Sequence, residues 1–239
     1  MNSTTIALVT GANNGLGRET VRRLAGLGWR VFLGARDAER GERAAAELAE
    51  VGLDVEFIEL DVTSASSVAA AVAAVGERTD HLDVLVNNAA IGGTRAAPPD
   101  CVAADFREVF ETNVFGVVEV THTFLPLLRA SSHPRIVMVS SGIGSLTLTS
   151  DPARPESTVL GLPYPSSKSA LNAITSQYAR ALPDFRVNAV DPGYTATDLN
   201  DHTGVQTVAE GTDAVVRLAS EGSGGPTGGF FDRRRPVPW

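Results

Sequence analysis

The chain has 239 residues, of which 43% are hydrophobic and 20% are charged, and its formal net charge is −8. This composition is typical of an ordinary globular protein and excludes the disordered, collagen-like and membrane classes. The acidic balance argues against a nucleic-acid partner, because a phosphate backbone requires a basic face. The arginines at 233–235, which two prolines follow, are interpreted as a solvated tail.

The single cysteine, Cys101, excludes an internal disulfide and a cysteine-based metal site, and it fits a reducing, cytoplasmic setting. We expect neither export nor a membrane partner, because the chain opens without a signal-like segment and no apolar run approaches about 18 residues. An α/β chain of this length commonly has one core. We therefore expect a single domain over residues 1–239.

Short β-branched or apolar runs alternate with longer helical patterns along the chain. The runs predicted as strands are 5–9, 30–34, 55–60, 84–86, 135–139, 185–190 and 228–232. The predicted helices are 15–27, 37–51, 64–76, 101–128, 164–182 and 205–220. This rhythm predicts an α/β, doubly wound fold with a seven-stranded, mainly parallel sheet and helices on both faces. Segments 142–163 and 194–204 interrupt it and are expected to be functional loops.

A glycine-rich segment follows the first predicted strand and opens the first predicted helix. Residues 10–17 read T-G-A-N-N-G-L-G, with glycines at Gly11, Gly15 and Gly17. Glycines let backbone approach a pyrophosphate closely, and the free N–H groups of a helix start favour its negative charge. The segment predicts a Rossmann-type dinucleotide site, although a tight turn alone also explains three glycines. Its spacing differs from G-x-G-x-x-G, because Thr20 occupies the position of the third glycine.

The end of the second predicted strand carries residues that select between the two nicotinamide cofactors. An acid there accepts the ribose 2′-hydroxyl of NAD(H), whereas arginine pairs with the 2′-phosphate of NADP(H). Asp37 precedes a helical run and is interpreted as its N-cap, which leaves Arg36 and Arg40 for the phosphate. The sequence therefore favours NADP(H) over NAD(H).

Tyr164 and Lys168 are four residues apart, which places them on one face of a helix. At about 6 Å and an effective dielectric near 20, an ammonium stabilises a phenolate by roughly 2–3 kcal/mol, or about two pK units. A tyrosine whose pKa falls toward neutrality suits general acid catalysis at a carbonyl oxygen. Because prolines flank Tyr164, we expect it to be the N-cap, with Pro165 as the first helical residue. An incidental pair on a surface helix is the alternative.

Polar residues follow two other predicted strands. Ser140 and Ser141 follow the fifth strand, Asn88 follows the fourth, and Asn113 lies in the helix after it. Ligands of open parallel sheets bind at the carboxyl ends of strands, so these side chains should meet Tyr164 in one crevice. Taken singly, they are ordinary turn and cap residues.

In this order the residues resemble the short-chain dehydrogenase/reductase family, and most of all its NADPH-dependent carbonyl reductases. The likeness covers essentially the whole chain. The matched motifs are T-G-x-x-x-G-x-G at 10–17, N-N-A-A at 87–90, Asn113, Ser141, Tyr164, Lys168 and D-P-G-Y-T-A-T at 191–197. Ala90 departs from the family, which usually has glycine there. The stretch between Ser141 and Tyr164 is also longer than in the simplest members.

The resemblance implies a role for each matched residue. Tyr164 would be the acid, Ser141 would hydrogen-bond the substrate oxygen, Lys168 would hold the ribose, and Asn113 would position a water. Ser141 is preferred to Ser140 because Gly144 follows it as in the family's S-x-x-G. The further cofactor contacts that the resemblance implies are Asn13, Asn14, Leu16, Asp61, Val62, Asn88, Ala89, Ala90, Pro192, Gly193, Thr195 and Thr197.

The predicted reaction is hydride transfer between NADPH and a carbonyl carbon, with Tyr164 protonating the oxygen. The two long loops would supply an apolar pocket for a small carbonyl or alcohol substrate, through Ile143, Leu146, Leu148, Leu160, Leu162, Tyr194 and Leu199. A substrate whose carboxylate is bound by Arg95 or Arg154 stays open as an alternative. A catalytically silent NADP(H)-sensing protein is the alternative function, and isomerase or dehydratase chemistry also uses this fold. A homodimer and a monomer both stay open.

Overall fold

The computed structural model describes residues 4–239, in which seven parallel strands form one sheet. The strands are β1 (Ile6–Val9), β2 (Arg30–Ala35), β3 (Val55–Glu59), β4 (Val84–Asn87), β5 (Arg135–Val139), β6 (Arg186–Val190) and β7 (Phe230–Phe231). Their order across the sheet is β3-β2-β1-β4-β5-β6-β7. The order reverses between β1 and β4, which is where an open α/β sheet takes its ligand.

Helices supply the crossovers that parallel strands require. They are α1 (Gly15–Ala25), α2 (Ala38–Glu50), α3 (Ala65–Gly76), α4 (Ala103–Phe110), α5 (Gly116–Arg129), α6 (Leu146–Ser150), α7 (Pro163–Ala181), α8 (Val208–Gly211) and α9 (Asp213–Ser220). Within residues 4–239, none of them combines the length and the apolar character needed to cross a membrane.

Both faces of the sheet are apolar and covered by helices. Successive strand residues point to opposite faces. In β1, Ala7 and Val9 therefore pack beneath α1, α2 and α9, whereas Ile6 and Leu8 pack beneath α3, α5 and α7. This two-sided burial explains why the strands read as nearly continuous hydrophobic runs. The predicted Rossmann-type, doubly wound, seven-stranded sheet is confirmed.

Three predicted segments differ from the structure. The helix predicted over 101–128 begins at Ala103 and is interrupted by a π-helical turn at Glu111–Phe115, which separates α4 from α5. The helix predicted over 205–220 begins at Val208, and Thr212 separates its two parts, α8 and α9. The loop predicted over 142–163 contains α6 and two short 3-10 turns, at Gly142–Gly144 and Pro155–Thr158.

The segment after β5 is fixed to the end of the chain. Leu148 of α6 is buried with Phe230 and Val237, and the Thr147 amide donates to the carbonyl of Trp239 at 3.1 Å. The Ser145 hydroxyl donates to the Pro238 carbonyl at 2.7 Å. These contacts hold α6 against the β7 edge of the sheet.

Candidate active site

A cavity of about 1750 Å³ opens at the carboxyl ends of the strands. It brings together residues that follow β1 through β6, as the sequence predicted for a ligand crevice. Of the residues predicted for catalysis and cofactor binding, all except Asn113 line it: Gly11, Asn13, Asn14, Gly15, Leu16, Gly17, Arg36, Arg40, Asp61, Val62, Asn88, Ala89, Ala90, Ser141, Tyr164, Lys168, Pro192, Gly193, Thr195 and Thr197.

The glycine-rich loop has no room for side chains at two of its glycines. A Cβ on Gly17 would lie 2.5 Å from the Gly11 carbonyl oxygen and 2.6 Å from Nδ2 of Asn88. Gly11 has a φ of +62°, and a Cβ there would lie 2.7 Å from the Cα of Ala89. The side-chain Nδ2 of Asn88 donates to the carbonyls of Thr10 and Gly11 at 2.8 and 3.0 Å. The loop is therefore bonded directly to the end of β4, with its backbone toward the cavity.

The end of β2 separates the roles of the acid and the arginines. Oδ1 of Asp37 accepts the Arg40 amide at 3.0 Å, so its carboxylate caps α2 as predicted. Arg36 and Arg40 are exposed, line the cavity and have no ionic partner among residues 4–239. Two cations at this point fit an anionic group. Asp61 is held locally, because its Oδ1 accepts both the amide and the hydroxyl of Thr63 at 2.9 and 2.7 Å.

Tyr164 lies within the first turn of α7. Leu162 is the N-cap and Pro163 the first helical residue, so the predicted N-cap position of Tyr164 is wrong by two residues. Pro163 and Pro165 both fall in the first turn, where the backbone N–H groups have no partner within the helix and proline costs little. Because the two residues are still one helical turn apart, their side chains lie close together: Nζ of Lys168 is 5.5 Å from the centroid of the Tyr164 ring.

Burial dominates the titration of both groups. Burial raises the pKa of Tyr164 above its usual range, the carboxylate of Asp191 raises it further, and a hydrogen bond with Ser141 opposes this. Burial lowers the pKa of Lys168 from 10.5 to about 7. The predicted lowering of the Tyr164 pKa is therefore wrong in this structure. The prediction is wrong because the lysine is desolvated too, and because its Nζ donates to the Val139 carbonyl at 2.8 Å.

The two serines after β5 have different surroundings. Ser140 is buried, and its hydroxyl donates to Oδ1 of Asn172 at 2.5 Å and to the Lys168 carbonyl at 3.4 Å. Ser141 lines the cavity, and of the two serines it is the one whose side chain helps to lower the Tyr164 pKa. Gly144 is required by packing, because a Cβ there would lie 2.7 Å from Cβ of Lys168. The geometry therefore favours Ser141 as the reactive serine.

Asn113 lies in the π-helical turn, behind the cavity wall and fully buried. Its Oδ1 accepts the Ile91 amide at 2.9 Å, and its Nδ2 donates to the Ile91 carbonyl and to Oγ of Ser167, both at 3.0 Å. Ser167 in turn donates to the Tyr164 carbonyl at 2.7 Å. The Asn113 side chain thus ties α7 to the loop after β4. The water that it is expected to position stays a prediction.

The substrate side of the cavity is mostly apolar. Ile143, Leu160, Leu162, Tyr194 and Leu199 line it as expected. Leu146 and Leu148 do not, because Leu148 packs in the core against β7 and Leu146 is 70% exposed.

Both arginines considered for a substrate carboxylate have acidic partners. Arg95 reaches Asp201 at 2.7 Å, and Arg154 reaches Glu156 at 3.2 Å. Their charges are therefore already paired within the chain.

Several polar residues that line the cavity were not among the predicted site residues. Asp191, Glu156 and Gln206 lie on its wall, and the arginines at 233–235 lie at its margin instead of in a solvated tail. Arg233 is bound to Glu210 at 2.8 Å and to an Asp213 oxygen at 2.6 Å. The strand-end rule could have found Asp191, because it follows β6 directly. No group of three or more potential metal ligands occurs in the described part of the chain.

Comparison with known proteins agrees with this geometry. The family model of the short chain dehydrogenases matches residues 5–207. The short-chain dehydrogenase anuI of Penicillium roqueforti is 40% identical over 91% of this chain and 89% of its own length. The (+)-neomenthol dehydrogenase of Capsicum annuum is 31% identical over 97% and 96%.

The fold of this chain also matches that of a solved structure. The structure of NADPH-bound carbonyl reductase from chicken fatty liver superposes with a TM-score of 0.87, covers 99% of both chains and is 26% identical. The sequence motifs, the sheet order and the cavity all follow one pattern. The chain therefore belongs to the short-chain dehydrogenase family of oxidoreductases.

Proposed function

We propose that this protein reduces an apolar ketone or aldehyde to the alcohol with NADPH, and that Tyr164 is the general acid. The observation that carries the proposal is the grouping of Ser141, Tyr164 and Lys168 on the wall of the cavity that also contains the glycine-rich loop. The resemblance to a carbonyl reductase and to a neomenthol dehydrogenase supports the same reaction class.

NADPH is supported by the charges around the cavity. Arg36 and Arg40 are free for a 2′-phosphate, whereas Asp37, the acid that would suit a ribose hydroxyl, is engaged as a cap. Gly11 and Gly17 let the loop pack against the end of β4, and the start of α1 on the cavity wall offers backbone N–H groups that suit a pyrophosphate. When bound, the cofactor supplies the hydride.

The residues of the chain supply positioning and the proton. The Ser141 hydroxyl holds the carbonyl oxygen, and the Tyr164 phenol donates its proton to it. The raised pKa of Tyr164 keeps the phenol protonated at neutral pH, which is the form that reduction consumes. Lys168 stands 5.5 Å from the ring and stabilises the phenolate that remains.

The margin of the cavity supports an apolar substrate. Leu160 and Val205 are 80% and 86% exposed, and Val159, Tyr194 and Leu199 are also exposed along the same opening. Such side chains gain free energy when a hydrocarbon surface covers them, at about 25 cal/mol per Å². A substrate larger than the reacting carbonyl group would use this margin.

Tyr164→Phe tests the reaction. We expect the oxidation of NADPH by a panel of ketones and aldehydes to fall about 10²- to 10⁴-fold, while NADPH affinity stays within about twofold. Tyr178→Phe is the matched control, because Tyr178 also lies on α7 but packs in the core away from the cavity. Full activity of Tyr164→Phe would remove the proposed acid. Tight NADPH binding without turnover of any carbonyl compound would favour the sensing protein.

A further inference from the structure

Asp191 occupies a special place in the sheet, although the reaction as proposed uses it in no step. It is the first residue after β6, and its amide donates to the Phe231 carbonyl at 2.8 Å, so it lies between the carboxyl ends of β5 and β7. The Ser140 amide donates at 2.8 Å to the carbonyl of Val190, the residue before Asp191. Because Val139 pairs with Val190 in the sheet, Asp191 lies opposite Ser140, one residue before Ser141.

The carboxylate of Asp191 contacts two separate loops. Its Oδ1 accepts the Gly193 amide at 3.0 Å, and its Oδ2 lies against the backbone of Gly142, which helps to lower its pKa. Gly142 directly follows Ser141, and Gly193 lies in the turn that lines the predicted nicotinamide site. The approach to Gly142 is close, because a Cβ there would lie 2.8 Å from Oδ2 of Asp191.

A local turn explains only half of this arrangement. An aspartate that accepts the amide two residues ahead is an ordinary turn-forming residue, and the Gly193 contact has that form. The Gly142 contact joins β6 to a different strand end, 49 positions away by residue number. A neutral amide side chain would place an NH₂ donor where one of the two carboxylate oxygens now meets a backbone.

We propose that Asp191 is a positioning residue of the reaction: its ionised carboxylate bridges the Ser141–Gly142 backbone to the Pro192–Gly193 turn and so sets the Ser141 hydroxyl opposite Tyr164. The proposal rests on the proposed function for its kinetic consequence. The bridge itself is a property of the free protein.

The charge of Asp191 has a second, electrostatic consequence. The groups that face it are Tyr164 on α7, Glu156 in the 3-10 turn before α7, and Asp232 after β7. Burial and the latter two carboxylates raise the pKa of Asp191, whereas the two backbone amides lower it. Arg154 is bound to Glu156 at 3.2 Å, and Arg235 approaches Asp232 at 3.9 Å.

The sign of the pH effect follows from the direction of the Tyr164 shift. Asp191 raises the pKa of Tyr164, and reduction requires the protonated phenol, so activity falls as pH rises through that pKa. Removal of the charge lowers the pKa of Tyr164. The alkaline limb of the reduction profile then moves to lower pH, and alcohol oxidation, which uses the phenolate, gains at neutral pH.

Three variants separate position from charge. Asp191→Asn removes both the charge and one acceptor, Asp191→Glu keeps the charge but displaces it by one methylene, and Gly142→Ala pushes the carboxylate away from the serine loop. Asp54→Asn is the matched control, because Asp54 is exposed and lies before β3, outside the cavity. Each variant is measured for carbonyl reduction across pH, for NADPH affinity, for thermal stability and for amide exchange at Gly142 and Gly193.

We expect kcat to fall about ten- to a hundredfold in all three variants, with NADPH affinity within about threefold, since a small misplacement of a reacting group costs about this much. Only Asp191→Asn should move the alkaline limb to lower pH. Amide exchange at Gly142 should rise at least about tenfold in each variant. If Asp191→Asn fails to fold, Asp191→Glu and Gly142→Ala still carry the test.

Two results would overturn the proposal. One is a kcat and a pH profile that match the parent while exchange at Gly142 is unchanged. The other is a parallel loss of stability, NADPH affinity and kcat, which a merely structural residue would show. Failure of the parent to reduce any carbonyl compound would refute the proposed function instead, and amide exchange would still decide whether the bridge exists.

Discussion

Lys168 offers the sharpest test of how burial controls this site, because it is the only lysine in the 239-residue sequence. Its side chain is 2% exposed, and burial lowers its pKa from 10.5 to about 7. At 1.36 kcal/mol per pKa unit, this shift corresponds to about 5 kcal/mol. The folded protein is less stable by about this amount at a pH where the lysine is charged. We predict that Lys168→Met stabilises the free protein below neutral pH.

The net gain is smaller than the full shift. The methionine cannot donate to the Val139 carbonyl, which costs about 1–3 kcal/mol. About 2–4 kcal/mol of added stability remains, or on the order of 10 °C in Tm for a chain of this size. The sign follows from proton binding. Between pH 7 and 10.5 the unfolded state holds more protons on this lysine, so the parent gains stability as pH rises and the variant does not.

Urea and thermal unfolding at about pH 6 and about pH 10.5 measure the difference. At the higher pH the parent lysine is neutral in the folded state and half neutral in the unfolded state, so nearly all of the penalty is gone and the advantage of the methionine should disappear. In addition, NMR of lysine labelled at Cε gives one side-chain resonance, whose titration reports Lys168 alone. A midpoint near its ordinary 10.5, or a variant no more stable than the parent at pH 6, would refute the reasoning.

Three further changes test other parts of the site. Gly17→Ala should abolish NADPH binding measured by fluorescence, because its Cβ would lie 2.5 Å from the Gly11 carbonyl; binding at the parent affinity would contradict the loop geometry. Arg36→Ala should weaken NADPH about 10- to 100-fold and leave NADH unchanged, and equal effects on both cofactors would rule out the phosphate contact. Ser141→Ala should lower kcat about 10²-fold at nearly parental stability, whereas Ser140→Ala should lower Tm by several degrees; the reverse pattern would exchange their roles.

Much of the fold could be predicted because periodicity and chain order carry it. Strands buried on both faces read as apolar runs, and the glycines after β1 are needed wherever backbone packs as closely as Gly17 does against Asn88. The π-helical turn could not be predicted. Its cause is tertiary: Asn113 satisfies the backbone of Ile91, a residue 22 positions away.

The predictions of the start of α7 and of the Tyr164 pKa were wrong for different reasons. Proline statistics restrict the residue before each proline, but two prolines in one first turn are both tolerated, because their N–H groups would have no helical partner. The predicted pKa of Tyr164 rested on one attraction, between Lys168 and the phenolate, whereas desolvation of both groups and the charge of Asp191 act against it. Neither term is visible without the packing around the site.

The distribution of basic residues also bears on the handling of reactive carbonyl compounds. Of the 20 lysine and arginine residues, all except Lys168 are arginines, and a guanidinium does not deprotonate in proteins. Aldehydes condense with neutral primary amines to form Schiff bases. The one side-chain amine of this chain is buried in the wall of the cavity, so the outer surface of the protein presents arginine where other proteins present amines for such adducts.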